Sequence, residues 1–206
     1  MKHSVISAII ILLSVISSSA QDEKKPEFFG GYSLENFSSG ITSNDLGTTT
    51  TLDNRFNANG FHLAGTGFLT KRLGLTADFS AHFDTRHDLF GSTTGQSKVS
   101  LYNLTGGPQF RFLNSSRFTP FVEGLAGIAR RNLSETFGAT SFTDNPTSFA
   151  LNLGGGIDYR INDRFAVRVL QLDYNPIFAR ARTVNATAIP DRTITGFRFS
   201  TGIVIR

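Results

Sequence analysis

The feature that most limits the fold is a period of two, repeated along nearly the whole chain. Eight stretches alternate apolar and polar residues, the pattern of a strand with one greasy face. They are Glu27–Leu34, Gly60–Thr70, Gly74–Phe83, Ser100–Phe112, Phe118–Ile128, Phe149–Ile161, Phe165–Pro176 and Thr195–Arg206. In the third, Leu75, Ala77, Phe79, Ala81 and Phe83 share one face, and Thr76, Asp78, Ser80 and His82 share the other. Several reach the roughly 9–11 residues with which a tilted strand crosses a bilayer, where ordinary strands have about half that length. After the first twenty residues no segment has the long apolar run of a spanning helix, which says nothing against a barrel, because a barrel strand never shows one.

The connections alternate as well. Lys71–Leu73, Leu113–Arg117 and Asn162–Arg164 are short, whereas Glu35–Asn59, Asp84–Ser97, Arg130–Thr147 and Ile177–Arg192 are long and polar. Tight turns at one end and long loops at the other mark a barrel set in an outer membrane. An even strand count brings both chain ends to the short-turn side. The expected fold is therefore all-β, an eight-stranded antiparallel up-and-down transmembrane β-barrel.

Which face points inward separates this barrel from a soluble one, since both alternate. The polar face is rich in Gly, Ser, Thr and Asn rather than Lys and Glu, and its charges nearly cancel. Glu27, Asp78, Glu123, Asp158 and Asp173 stand against Arg111, Arg160, Arg168, Arg198 and Arg206. Balanced carboxylates and arginines, whose forks fit one another, predict an ion network inside the lumen. Eight strands leave room for side chains and little else, so the lumen should be closed. If Asn162–Arg164 is a three-residue turn, Arg160 opposes Ala166 and Asp158 opposes Arg168, an opposite-charge cross-strand pair. The seventh stretch breaks the alternation: Arg168 has one parity, Gln171 and Asp173 the other. One extra residue near Val169-Leu170 would turn all three inward, so a β-bulge is expected there.

The first residues read differently. Met1-Lys2-His3, the apolar run Val5–Ile16 and Ser18-Ser19-Ala20 have the three parts of a secretory signal. Residues 1–20 are expected to be cleaved, leaving 21–206 as the barrel domain. The absence of Cys removes disulfides, thiolate metal sites and Cys nucleophiles, and with them a lipoprotein anchor. A formal charge of +4 is too small to argue for nucleic acid.

Five segments together carry a resemblance: Phe29-Gly30-Gly31-Tyr32-Ser33, Leu73–Ser80, Gly107–Phe112 leading to Pro120–Glu123, Arg168–Tyr174, and Phe197–Val204. In order and spacing they resemble the small bacterial outer-membrane β-barrel proteins of the outer membrane protein A-like or opacity-like type. The resemblance implies a monomeric barrel in contact with outer-membrane lipid and lipopolysaccharide, inserted by the barrel-assembly machinery. It implies periplasmic termini, extracellular long loops and a structural or adhesin-like role rather than an enzyme. Such barrels usually end in an aromatic residue, whereas this chain ends Ile203-Val204-Ile205-Arg206.

Other chemistry is thinly supported. With a turn centred on Arg72, His62 and His82 would face each other near the outer mouth, as metals that take imidazole require, but no third ligand has a clear spacing. His82 with Ser80 would need an orienting acid to form a nucleophilic site, and none is evident. Gly154-Gly155-Gly156 lacks the following helix of a dinucleotide loop and fits close backbone approach instead. Phe178–Arg182 is basic and could meet anionic lipopolysaccharide. No cofactor is expected. The alternatives to a surface-interaction role are a narrow solute or ion channel and a soluble periplasmic lipocalin-like binder.

Overall fold

The structure, a computed structural model, describes residues 25–38, 55–90, 93–137, 140–184, 187–189 and 191–206. The signal-like segment 1–20 and the Thr- and Asn-rich stretch 44–54 lie outside them. Eleven strands follow in chain order: β1 (Glu27–Ser38), β2 (Arg55–Phe68), β3 (Leu73–Phe90), β4 (Thr93–Arg111), β5 (Phe118–Phe137), β6 (Thr140–Asp144), β7 (Thr147–Arg160), β8 (Phe165–Ala179), β9 (Arg182–Val184), β10 (Thr187–Ile189) and β11 (Arg192–Ile205). Neighbours along the sheet run β4-β3-β2-β1-β11-β8-β7-β5, all antiparallel, and β4 pairs with β5 to close the ring. The fold is a closed eight-stranded antiparallel barrel. The short β6 extends the sheet beside the far end of β5, and β9 and β10 form a separate small hairpin.

Side-chain placement follows the alternation. Phe28, Tyr32, Phe61, Leu63, Leu75, Leu104, Phe110, Val122, Ile128, Leu153, Ile157, Leu172, Phe197 and Ile203 are exposed on the outside. Asp78, Asp158, Asp173, Arg168 and Arg198 are buried. A water-soluble protein does not arrange itself this way, because so large a continuous apolar exterior would drive association. On β5 the outward apolar positions run from Phe118 to Ile128 and end at the exposed Arg130, a span suited to a bilayer. Outward aromatics pair at two levels. Phe110–Phe112 and Phe118–Tyr159 lie toward the short turns, while Phe83–Tyr102, Phe149–Phe178 and Tyr174–Phe197 lie toward the long connections. Two aromatic girdles around an apolar band mark a spanning barrel.

The short turns are held by their own polar side chains. Thr70 Oγ1 accepts the backbone N–H groups of Arg72 (3.2 Å) and Leu73 (2.9 Å). Asn162 Oδ1 accepts those of Arg164 (2.9 Å) and Phe165 (2.8 Å), and Asn114 Oδ1 accepts that of Ser116 (3.1 Å). Side chains of this kind imitate a backbone turn and fix the register that follows.

At the other end the strands outrun the sequence reading. Residues 84–90 and 93–97, expected as loop, continue the β3–β4 ladder, and residues 130–137 continue β5. Polar residues on both faces hide the alternation there, because above the bilayer neither face needs to be greasy. The expected bulge is present: Asp158 pairs with Arg168 and Ile157 with Leu170, while Ser200 pairs with Gln171 and Gly202 with Arg168. β8 thus holds one more residue than β7 opposite Val169.

Candidate functional site

The lumen is filled in three layers. The middle one is a continuous polar network. Arg168, from β8 just after the Asn162–Arg164 turn, donates from Nε to Asp158 Oδ1 (2.8 Å), from Nη2 to Asp158 Oδ2 (3.3 Å) and from Nη1 to Gln171 Oε1 (2.7 Å). Its guanidinium carbon lies 4.4 Å from the Phe29 ring centre and 4.2 Å from that of Phe121, a cation held between two aromatic faces. Gln171 Nε2 passes the network on, donating to Glu123 Oε1 (2.9 Å) and Asp173 Oδ2 (3.0 Å).

Arg198 is the hub. At 1% exposure it donates from Nε to Asp173 Oδ2 (2.9 Å) and forks across Asp78, with Nη1 to Oδ1 and Nη2 to Oδ2 both at 3.0 Å. Nη1 also reaches Ser80 Oγ at 3.0 Å. Two carboxylates and one fork of five donors satisfy each other almost completely, the condition for carrying charges in a low-dielectric interior. Asp78 additionally accepts from His62 Nε2, whose Nδ1 lies 3.1 Å from Ser200 Oγ. Ser200 meets Ser33 at 3.0 Å, and Ser33 meets His82 Nε2 at 2.8 Å. His82 Nδ1 stands 2.9 Å from Glu35 Oε2, and Glu35 is capped by Asn175 Nδ2 (3.1 Å) and Asn103 Nδ2 (3.3 Å).

Glycines make the space. A Cβ at Gly154 would lie 2.0 Å from Asp173 Oδ1, and one at Gly156 would lie 2.9 Å from the Phe121 ring. The triglycine therefore lets the Asp173 carboxylate and the aromatic wall press against the β7 backbone.

Above this network, toward the long connections, the interior turns apolar. Phe37, Val99, Leu101, Ala129, Ile177 and Ile194 pack together, with Phe56 stacked on Phe37 at 5.5 Å. The gap among them is about 10 Å³, at the lower limit of what one water occupies. Sequence reasoning missed this layer. Phe37 follows the parity of Phe29 and Ser33, but the alternation of apolar and polar residues stops at Leu34, four residues before β1 ends. Glu35 was missed for the same reason.

Below the network, at the short-turn end, the third layer opens. Glu27 Oε1 lies 3.1 Å from Arg111 Nη2 and 2.6 Å from Arg206 Nε, and a vestibule of about 410 Å³ is lined by these residues with Lys25, Lys71, Arg160 and Asp163. Of the ten charged residues named from the sequence, six (Asp78, Glu123, Asp158, Arg168, Asp173 and Arg198) meet in the middle layer. Glu27, Arg111 and Arg206 form this separate lower group. Arg160 stands apart from both groups: paired with Ala166 beside the turn, it emerges exposed at the mouth.

The histidines also differ from expectation. The β2–β3 register puts His62 opposite Ser80 and His82 opposite Gly60, two residues from the spacing that a turn centred on Arg72 would give. Both are wholly buried in the middle layer rather than at the outer mouth. Among the described residues no three His, Cys, Asp or Glu side chains gather as metal ligands. Ser33–His82–Glu35 and Ser200–His62–Asp78 each place a serine, an imidazole and an acid in sequence, and all six side chains are buried.

An apolar exterior around a polar, ion-paired interior defines the class: a β-barrel protein that resides in a bacterial outer membrane, surrounded by its lipid. A family profile described as "Outer membrane protein beta-barrel domain" matches residues 7–189, and the chain belongs to that family. Solved structures share the fold. Ail, the attachment invasion locus protein of Yersinia pestis, is 16% identical, with 89% of this chain and 99% of that chain covered and a TM-score of 0.52. Neisserial surface protein A is 12% identical, with 87% and 96% covered and a TM-score of 0.53. The outer membrane protease OmpT of Escherichia coli is 11% identical, with 91% and 99% covered and a TM-score of 0.50. No curated protein sequence matches the chain.

Proposed function

We propose that this protein is a non-enzymatic, lumen-sealed barrel that holds its long connections at the cell surface as an interaction element, adhesin-like in role. Residues 1–20 act as a cleaved signal, the barrel-assembly machinery inserts residues 21–206, and the barrel works as a monomer. The short turns and both chain ends face the periplasm, and the long connections face outward. The observation that carries this reading is the packed interior. An apolar layer, then a network in which Arg198, Asp78 and Asp173 satisfy one another, leaves no water-filled path through the described residues, so a channel role has little to work with. The buried state of Ser33 and Ser200 argues likewise against acyl-transfer chemistry. The likeness to an attachment invasion locus protein is consistent with a role carried by loops.

The test combines two measurements on the protein in lipid. Planar-bilayer recordings of the purified barrel are expected to show no discrete conductance steps. Protease added to intact cells is expected to cut within 39–54 and spare the short turns. Steady single-channel openings would replace this reading with a channel, and cleavage at the short turns on intact cells would invert the topology.

A further inference from the structure

Five carboxylates share the middle layer with two arginines. Glu35, Asp78, Glu123, Asp158 and Asp173 are all buried, as are Arg168 and Arg198. His62 and His82 stand beside Asp78 and Glu35, and even with both imidazoles charged one negative charge is left over. A net charge in a low-dielectric interior is costly until a counter-charge joins it.

Polar atoms are left over as well, and in one place. Asn103 and Asn175 both donate their amide nitrogens to Glu35, at 3.3 and 3.1 Å. The carboxylate thereby fixes both amides, because a flipped amide would turn its oxygen to it. Their Oδ1 atoms, Thr105 Oγ1 and both amide atoms of Asn152 have no hydrogen-bond partner among the described residues. All four side chains are buried, at 5% exposure or less. Buried polar atoms are paired in the great majority of cases, so this cluster points to a ligand. The four residues come from β4, β7 and β8 and line one gap, between Ala150 of the apolar layer and the Arg198 hub. Arg198 is already held by Asp78 and Asp173.

Three amide oxygens and a hydroxyl are hard, neutral ligands, suited to a hard cation. No carboxylate lines the gap, whereas protein sites for calcium and magnesium draw on carboxylates. The gap does not admit a water-sized sphere, and a dehydrated sodium ion is smaller than water. We propose that Asn103, Thr105, Asn152 and Asn175 form a structural site for a dehydrated monovalent cation of sodium's size. The ion enters as the barrel closes, balances the surplus carboxylate and ties β4, β7 and β8 together. It acts independently of what the long connections bind.

Equilibrium urea unfolding of the full chain in phosphatidylcholine vesicles tests this, with EDTA present and sodium chloride exchanged for N-methylglucamine chloride at constant ionic strength. A ligand held only by the folded state stabilises it by mass action, so the unfolding midpoint should rise with sodium. Thr105→Val and Asn152→Leu keep the side-chain shape and remove the oxygen, and each should weaken the apparent sodium affinity by about tenfold. Glu123→Gln, which removes the surplus charge without touching the lining, should weaken it too. Thr66→Val, toward the short turns where Thr66 bonds Thr76 at 2.9 Å, should change it by less than about twofold. Unboiled gel mobility verifies that each variant is folded. Equal midpoints of the parent chain in the two chlorides, or a sodium response that Thr105→Val and Asn152→Leu leave intact, would overturn the proposal.

Discussion

Single residues in the middle layer matter because two arginines, Arg168 and Arg198, serve its aspartates. Arg198 touches Asp78, Asp173 and Ser80, so removing it strands two buried carboxylates. Loss of one partner from a buried pair costs about 3–5 kcal/mol, whereas an exposed pair is worth about 0–1 kcal/mol. Arg198→Met should therefore lower the stability of the folded barrel by about 3–5 kcal/mol in urea unfolding from lipid vesicles. Arg160→Met, at the exposed mouth, should change it by less than about 0.5 kcal/mol. Legibility at this scale depended on turn length. Asp158 facing Arg168 could be read because Asn162–Arg164 is a three-residue turn whose length fixes the pairing on both sides. The histidine pairing failed because the β2–β3 turn begins at Leu69, a residue the alternation assigned to the strand. His62 and His82 thus reach different carboxylates, Asp78 and Glu35, which no spacing rule would have joined.

Elements carry the inward face through their register, and β8 shows how sharply. Arg168 and Gln171 both reach the lumen only because one residue is added between them. The parity conflict among Arg168, Gln171 and Asp173 was visible in the sequence, since no uniform strand can bury all three. Deleting Val169 should restore plain alternation with Arg168, Gln171 and Asp173 all still inward, because Arg168 and Gln171 then stand two residues apart and the extra residue opposite β7 and β11 is gone. The deletion variant is expected to keep the compact, heat-modifiable form on unboiled gels; loss of that form would show that the bulge itself is needed for closure. Strand ends were much less legible than strand centres. Between Asp84 and Phe90, and between Arg130 and Phe137, the ladders continue without a greasy face to announce them, because alternation reports contact with lipid rather than the presence of a strand. The same limit hid the apolar inner layer: Phe37 and Ile177 lie beyond the point at which the pattern was followed.

The whole molecule is an inversion of a soluble domain. Its outer surface bears Phe197 at 59% and Leu172 at 56% exposure, while Arg198 sits at 1%. Closure of the sheet through β4 and β5 leaves the barrel strands without free backbone edges in the apolar band, as a hydrocarbon environment demands. The class of fold followed from alternation and loop lengths together, because only a membrane barrel needs both. The vestibule did not follow, since its charges come from five separate segments that only closure brings together. The chain has no Cys, so single cysteines report orientation without interference. Spin labels at Leu63, Leu153 and Ile203, compared with labels at Ser33, Asn152 and Ser200 in lipid vesicles, measure contact with oxygen dissolved in the bilayer and with a water-soluble nickel chelate. The outward set should collide strongly with oxygen and hardly at all with the chelate, while the inward set should be shielded from both. Outward positions open to the chelate and closed to oxygen would contradict the membrane barrel at its root.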